Sequence, residues 1–278
     1  MSTSTRRDTW YRARSLDQLA ARFAEPSVLT LVDARLAEAR SVRILEIGCG
    51  EAHALMALAW RYRDRPVSLT GLNDAPTGTM AGTDDLRDAC VDFDICTPQE
   101  AAMLRVPALV FADAGERLPF ADAAFDLVVS GTTFPCIVDK ARALMEVARV
   151  LDRDGTALIH LDSYDPKLPD FLNTAGDPHL FTPRFVIYDA QRRRLPTAAY
   201  LTRAASAGFD VRVEASPGKP THTVVRFSRR RAERIDFGLT LDDVSTMPRM
   251  EEHFAFKQAV TRGLWWGARS VYVAQDAG

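Results

Sequence analysis

No stretch of this chain is long and apolar enough to span a bilayer, and Met1 to Tyr11 are polar, without the apolar segment of a signal peptide. A cytoplasmic location is the expectation. Cysteine is scarce: Cys49, Cys90, Cys96 and Cys136 form no C-x-x-C pair, which disfavours structural zinc and fits free thiols in a reducing compartment. The five histidines show no spacing with carboxylates that implies a metal. Charge of one sign is missing too. Lys and Arg number 35 against 37 Asp and Glu, and a net −2 gives no general attraction to nucleic acid or an anionic membrane. Repeats and low-complexity tracts are absent. What remains is a 278-residue chain, 47% hydrophobic and 26% charged, the makeup of one α/β domain with additions.

The organising stretch runs from Arg43 to Ala59. Val42 to Ile47 is an apolar run suited to one buried strand. Gly48 and Gly50 then break the strand and let backbone approach a ligand closely. From Ala52 the pattern turns helical, with Leu55, Leu58 and Ala59 on one face. Strand, glycine turn and helix open a nucleotide-binding α/β unit. The dinucleotide fingerprint would need glycine at position 53, where this chain has His53, and that weakens a nicotinamide reading.

Three further segments have the order of an alternating α/β sheet. Val67 to Asp74 reads as a second strand and its carboxyl end, where ligands sit in doubly wound sheets. Pro76 to Asp85, rich in Gly, Thr and Asp, signals an extended loop. Thr97-Pro98-Gln99-Glu100 is a capping box with proline at the first helical position, opening a helix over 98–105. A strand over Ala108–Ala112 leads into Asp113-Ala114 and then Leu118-Pro119-Phe120-Ala121-Asp122-Ala123-Ala124-Phe125-Asp126-Leu127-Val128-Val129-Ser130. An amphipathic helix over 139–151 carries Glu146-Val147-Ala148-Arg149-Val150-Leu151, with a turn at Asp152 to Gly155 and a strand over Thr156–Leu161.

Glu-x-Gly-x-Gly closing a first strand resembles motif I of the class I S-adenosylmethionine-dependent methyltransferases. The LPF-x-D-x-x-FD block and the E-x-x-R-V-L block are similar to that family's later landmarks, and together they cover about residues 42–162. The resemblance implies S-adenosylmethionine as cofactor and S-adenosylhomocysteine as product. Glu46, Gly48, Cys49, Gly50 and Ala52 would surround the methionine part, Ala52 standing where the family has glycine. Asn73 stands where the family has an acid that accepts the ribose hydroxyls, and Asp74 follows it. Asp113 would take the adenine amine and the Ala114 N–H a ring nitrogen, with Leu118 and Phe120 as pocket wall. Ser130 and Gly131 close the cofactor set, and Thr132, Thr133 and Phe134 would face the transferable methyl.

The expected fold is a doubly wound, mostly parallel, seven-stranded sheet. An N-terminal helical cap (1–40) precedes a core (41–231) carrying an insertion at 162–195, and an extension (232–278) follows. Within the core, a helix over 196–207 and strands over 209–215 and 221–229 are expected, and the extension suggests a helix to about Leu264. The insertion, long for a connector, supplies the acceptor-pocket candidates Tyr164, His179, Phe181 and Tyr188, together with Phe171 and Phe185. Trp10 and Tyr11 anchor a terminal helix or form a lid, and the extension closes the pocket or makes a homodimer contact. A base is needed only if the acceptor must lose a proton, and the candidates are His160, Asp162, Tyr164 and His179. Gly131-Thr132-Thr133-Phe134-Pro135 lacks the N-P-P-Y signature of base-amine methylases, which favours a small-molecule acceptor, as in specialised biosynthesis. RNA or polypeptide methylation, or cofactor binding without turnover, are the alternatives.

Overall fold

The computed structural model describes residues 15–38, 40–74, 82–131, 133–134, 140–163, 187–188, 194–195, 209–217 and 219–229. Its elements are α1 (Leu16–Arg22), α2 (Val28–Ala37), β1 (Val42–Ile47), α3 (His53–Arg61), β2 (Val67–Asn73), α4 (Thr83–Asp92), α5 (Pro98–Met103), β3 (Ala108–Phe111), β4 (Phe125–Ser130), α6 (Lys140–Val150), β5 (Leu151–Ser163), β6 (Ile187–Tyr188), β7 (Arg194–Leu195), β8 (Phe209–Ser216) and β9 (Lys219–Arg229).

The main sheet runs β3-β2-β1-β4-β5-β9-β8, and a separate pair joins β6 to β7. The first five strands pair in parallel. β9 runs antiparallel to both β5 and β8. The order reverses at β1, which lies between β2 and β4; such a switch point is where open α/β sheets bind ligands.

Period-2 alternation sends β1 side chains to opposite faces. Leu45 and Ile47 join one apolar cluster with Val128, Leu144 and Val147 of β4 and α6. Val42 and Ile44 join the other with Leu19, Val32, Leu55 and Cys90 of the N-terminal and β2-side helices. β4 is buried along its whole length, as befits a central parallel strand covered on both faces.

Local chemistry explains the helix starts. Ser15 and Ser27 cap α1 and α2 through their hydroxyls. At α5, Thr97 accepts from the Glu100 amide while Glu100 reaches back to the Thr97 amide. α2 is fastened by Arg35, which donates to the Asp154 carbonyl, and by Tyr62, whose hydroxyl donates to Asp33 at 2.8 Å. Arg226 of β9 donates to the Ala24 carbonyl at 2.8 Å, holding the α1–α2 junction against the sheet.

Two expectations need correction. Residues 83–85, read as loop, open α4. Leu86, Ala89 and Cys90 lie on one buried face there, and Asp85 accepts from the Gly82 amide at 2.7 Å. Asp152 to Gly155, read as a turn, belongs to β5: Leu151 pairs with Phe125 and Thr156 with Leu127, so an irregularity in the ladder absorbs the extra residues. The expected helices at 196–207 and in the 232–278 extension lie outside the described residues, as do Trp10, Tyr11, Thr132, Tyr164, Phe171, His179, Phe181 and Phe185.

Candidate functional site

The carboxyl ends of β1 to β4 come together at the switch point, and the glycine turn after β1 lies at its centre. Gly48, Gly50 and Ala52 all adopt left-handed backbone, with φ of 74°, 58° and 58°. Glycine takes that conformation freely, whereas alanine is strained by about 1 kcal/mol. The turn hangs from β2. Gly48 and Cys49 donate their amides to the Leu72 carbonyl at 2.7 and 3.2 Å. The Asn73 side chain accepts from the Gly50 amide at 2.9 Å and donates to the Gly50 carbonyl at 2.8 Å.

Glu46 and Asn73 are buried and Asp74, one residue on, is exposed. Cys49 is buried against Gly71, where any Cβ would collide with its sulfur. At the end of β3, Asp113 accepts from the Gly115 amide at 2.7 Å, an Asx turn that orients its carboxylate, and Ala114 is buried. Ser130, wholly buried, donates to the Ile47 carbonyl at 3.1 Å and ties β4 to β1. Gly131 leaves room for Leu19 of α1, whose methyl would lie 3.0 Å from a Cβ there.

The loop after β3 has an anchor that motif reading did not assign a role. Glu146 accepts from the Leu118 amide at 2.8 Å. Arg149 donates to the carbonyls of Leu118 and Phe120 at 2.9 and 2.7 Å, and pairs with Glu146 and Asp122. The hydrogen bond to Glu146, chiefly, raises the Arg149 pKa above its ordinary value. The third landmark of the sequence thus holds the second in place. A signal was there in the sequence, since a carboxylate and a guanidinium three apart share a helix face.

The acceptor-side candidates are less gathered. Thr133 is half-buried over the turn, its hydroxyl 3.4 Å from the Gly48 carbonyl. Phe134 is wholly buried in the cluster with Ile47 and Leu118 and presents no surface. His160 is buried on β5, paired with Val224. Asp162 lies in β5 and Tyr188 in β6, paired with Arg194. His53, at the start of α3, stacks on Phe93 with centroids 4.1 Å apart.

Carboxylates lie at the carboxyl ends of three strands: Glu46, buried near the end of β1, Asp74 just after β2 and Asp113 just after β3. Such a rim repels a pyrophosphate and suits a cofactor without phosphate that offers a cation, a diol and an amine. The residues present therefore fit S-adenosylmethionine. Among the described residues, no three potential ligands gather to hold a metal, and no helix is long and apolar enough to cross a membrane.

Comparison with known proteins gives a consistent result. Residues 45–159 match the sequence profile of a family described as a methyltransferase domain. The O-methyltransferase cnsE of Penicillium expansum is 29% identical over 171 residues, 61% of this chain, and the chain spans only 55% of that relative's length. Among solved structures, an S-adenosylmethionine-dependent methyltransferase from Aquifex aeolicus is 14% identical with a TM-score of 0.41, covering 77% of this chain and 95% of that one. The 1,6-didemethyltoxoflavin-N1-methyltransferase of Burkholderia thailandensis, solved with 1,6-didemethyltoxoflavin and S-adenosylhomocysteine, is 13% identical with a TM-score of 0.43, covering 81% of this chain and 84% of that one.

Proposed function

We propose that this chain, whose residues 45–159 match a methyltransferase-domain family, is a class I S-adenosylmethionine-dependent methyltransferase that transfers a methyl group to an oxygen or nitrogen of a small-molecule acceptor. What supports the reading is the switch-point turn, where three left-handed residues follow Glu46 at the same sheet end as Asp74 after β2 and Asp113 after β3. The curated relative is by name an O-methyltransferase, so an oxygen acceptor is the first to test.

S-adenosylmethionine, when bound, supplies the activated methyl and its leaving group. The chain's part is to hold and orient. Gly48 and Gly50 leave room for close approach of the methionine part, with Glu46 and Cys49 beside it. Asp113 would accept from the adenine amine, the Ala114 N–H would donate to the ring, and Leu118 and Phe120 would wall the adenine. Ser130 and Gly131 back the turn, and Thr133 borders the acceptor. An acceptor hydroxyl must lose its proton as the new bond forms, and His160, Asp162, Tyr164 and His179 are the groups to test as its base. Positioning in a dry pocket accounts for most of the acceleration in such a displacement.

The test is transfer of labelled methyl from S-adenosylmethionine to a pool of small phenols, carboxylic acids and amines, with total RNA and a peptide pool in parallel. Label in a small molecule supports the proposal. Label only in RNA or peptide, or none, overturns it.

A further inference from the structure

We infer that Asn73 is a positioning residue that clamps the glycine turn, and that the ribose of the cofactor falls to the carboxylate of Asp74. The inference rests on the S-adenosylmethionine reading of the site. In the resembled family the residue at this place is an acid facing the ribose. Here it is an amide turned onto Gly50, and the geometry explains why it must be one. Its oxygen accepts from the Gly50 amide at 2.9 Å and its nitrogen donates to the Gly50 carbonyl at 2.8 Å, a two-point pairing with one residue's own N–H and C=O that an amide can make and an ionised carboxylate cannot. A carboxylate at the same place would accept the first bond and set negative oxygen against carbonyl oxygen in the second.

The pairing lies where it matters. Asn73 is only 7% exposed, and the backbone it grips has φ of 58° at Gly50, outside the strand ladder. The Asn73 carbonyl also accepts from the Ala112 amide at 2.8 Å, immediately before Asp113. One residue thus links the turn after β1 with the strand end that carries Asp113. Asp74, the next residue along and exposed, is the acid that the end of β2 offers to a diol.

Asn73→Asp separates this account from the family's. If Asn73 faced the ribose, the aspartate would convert neutral bonds into charge-assisted ones and tighten binding. The clamp predicts the opposite. At pH 7.5, Asn73→Asp lowers calorimetric affinity for S-adenosylhomocysteine at least tenfold, and at pH 5.5 part of the loss returns, because a protonated carboxyl donates to the Gly50 carbonyl. The folded state favours that neutral acid, so the introduced group's pKa is raised and the variant's stability falls as pH rises above the unfolded value. The titratable groups on the elements around this corner are Glu46 in β1, Glu51 in the turn, His53 opening α3, Asp74 after β2 and Asp113 after β3; wild-type protein at each pH controls for them.

The ligand-free protein gives an independent readout. Faster exchange of the Gly50 amide and a melting temperature that drops with rising pH are expected in Asn73→Asp, with faster exchange and no pH term in Asn73→Ala. Asp74→Asn should weaken S-adenosylhomocysteine at least fivefold while leaving Gly50 exchange unchanged. Unaltered exchange and melting in both Asn73 variants overturns the clamp, as does Asn73→Asp binding as tightly as wild type. Wild-type protein that binds no S-adenosylhomocysteine defeats the reading of the site and the ribose role with it, and the exchange data then decide the clamp alone.

Discussion

The Thr133 hydroxyl rests over the Gly48 carbonyl at 3.4 Å, and an ideal Cβ on Gly48 would collide with the Thr133 side chain. The loop after β4 is therefore seated on the turn after β1. Any side chain at position 48 must displace that loop and also endure φ of 74°, which costs an L-residue about 1–2 kcal/mol. Gly48→Ala should lower stability by at least that much, measured by urea unfolding, and Gly48→Val should abolish S-adenosylhomocysteine binding. Thr133→Ala, which removes a long hydrogen bond, should cost under about 1 kcal/mol.

Arg149 makes the loop after β3 rigid, joining Leu118, Phe120, Asp122 and Glu146 through one guanidinium. Its side chain is 20% exposed and that of Glu146 is 6%. Removing the arginine strands a buried carboxylate, at a cost of about 3 kcal/mol. Arg149→Ala should show that loss in urea unfolding and, if Leu118 and Phe120 wall the adenine as proposed, weaken S-adenosylhomocysteine by freeing that loop from its anchor. Arg149→Lys should not restore it, since an ammonium lacks the fork that reaches several acceptors.

Arg43 and Asp126 make an acid-sensitive pair between β1 and β4. Arg43 gives Asp126 three hydrogen bonds, from its backbone amide at 2.8 Å and its side chain at 3.1 and 3.0 Å. Burial alone would push the Asp126 carboxyl up. The bonds and charge of Arg43, with the charge of Arg35, outweigh it and hold the carboxyl below the usual range. A lowered acid gives stability that is present above its unfolded pKa, near 3.9, and lost as pH falls through the folded value. Asp126→Asn should cost about 2 kcal/mol at pH 7, and the gap from wild type in urea midpoint should stay level down to about pH 4 and then narrow. A gap independent of pH would contradict this.

Cys90 should be inert in the native state. Burial, with the neighbouring Cys96 adding to it, pushes its thiol up to about 12. Thiolate is the reacting form, so alkylation at pH 8 followed by peptide mass spectrometry should leave Cys90 unmodified until the protein is unfolded.

How much of this was readable beforehand follows from where the information lies. β1 appears at its expected bounds, because a short apolar run ended by glycine leaves little choice. The Thr97–Glu100 capping box is equally local. α4 was missed because acidic residues crowd its first turn and only Leu86, Ala89 and Cys90 mark its buried face. The strand expected over Thr156–Leu161 lies within β5, but its early start at Leu151 was missed, because Asp152 to Gly155 have turn composition and only pairing with β4 draws this stretch into the ladder. In the site, residue types were legible while partners were not. Nothing local says that Asn73 turns to Gly50, or that Glu146 and Arg149 reach back to Leu118, since each bond depends on contacts more than twenty residues apart.

The most direct test is calorimetric titration of the wild-type chain with S-adenosylmethionine and S-adenosylhomocysteine, repeated on Asp113→Ala. Asp113 sits just after β3 with its carboxylate oriented by the Gly115 amide, so its removal should spare the fold and, on the proposed reading, cost the adenine amine its acceptor. The account predicts micromolar binding of both compounds to wild type, roughly tenfold or more weaker in the variant, about 1–2 kcal/mol. No binding of either compound to a folded wild-type protein would contradict it.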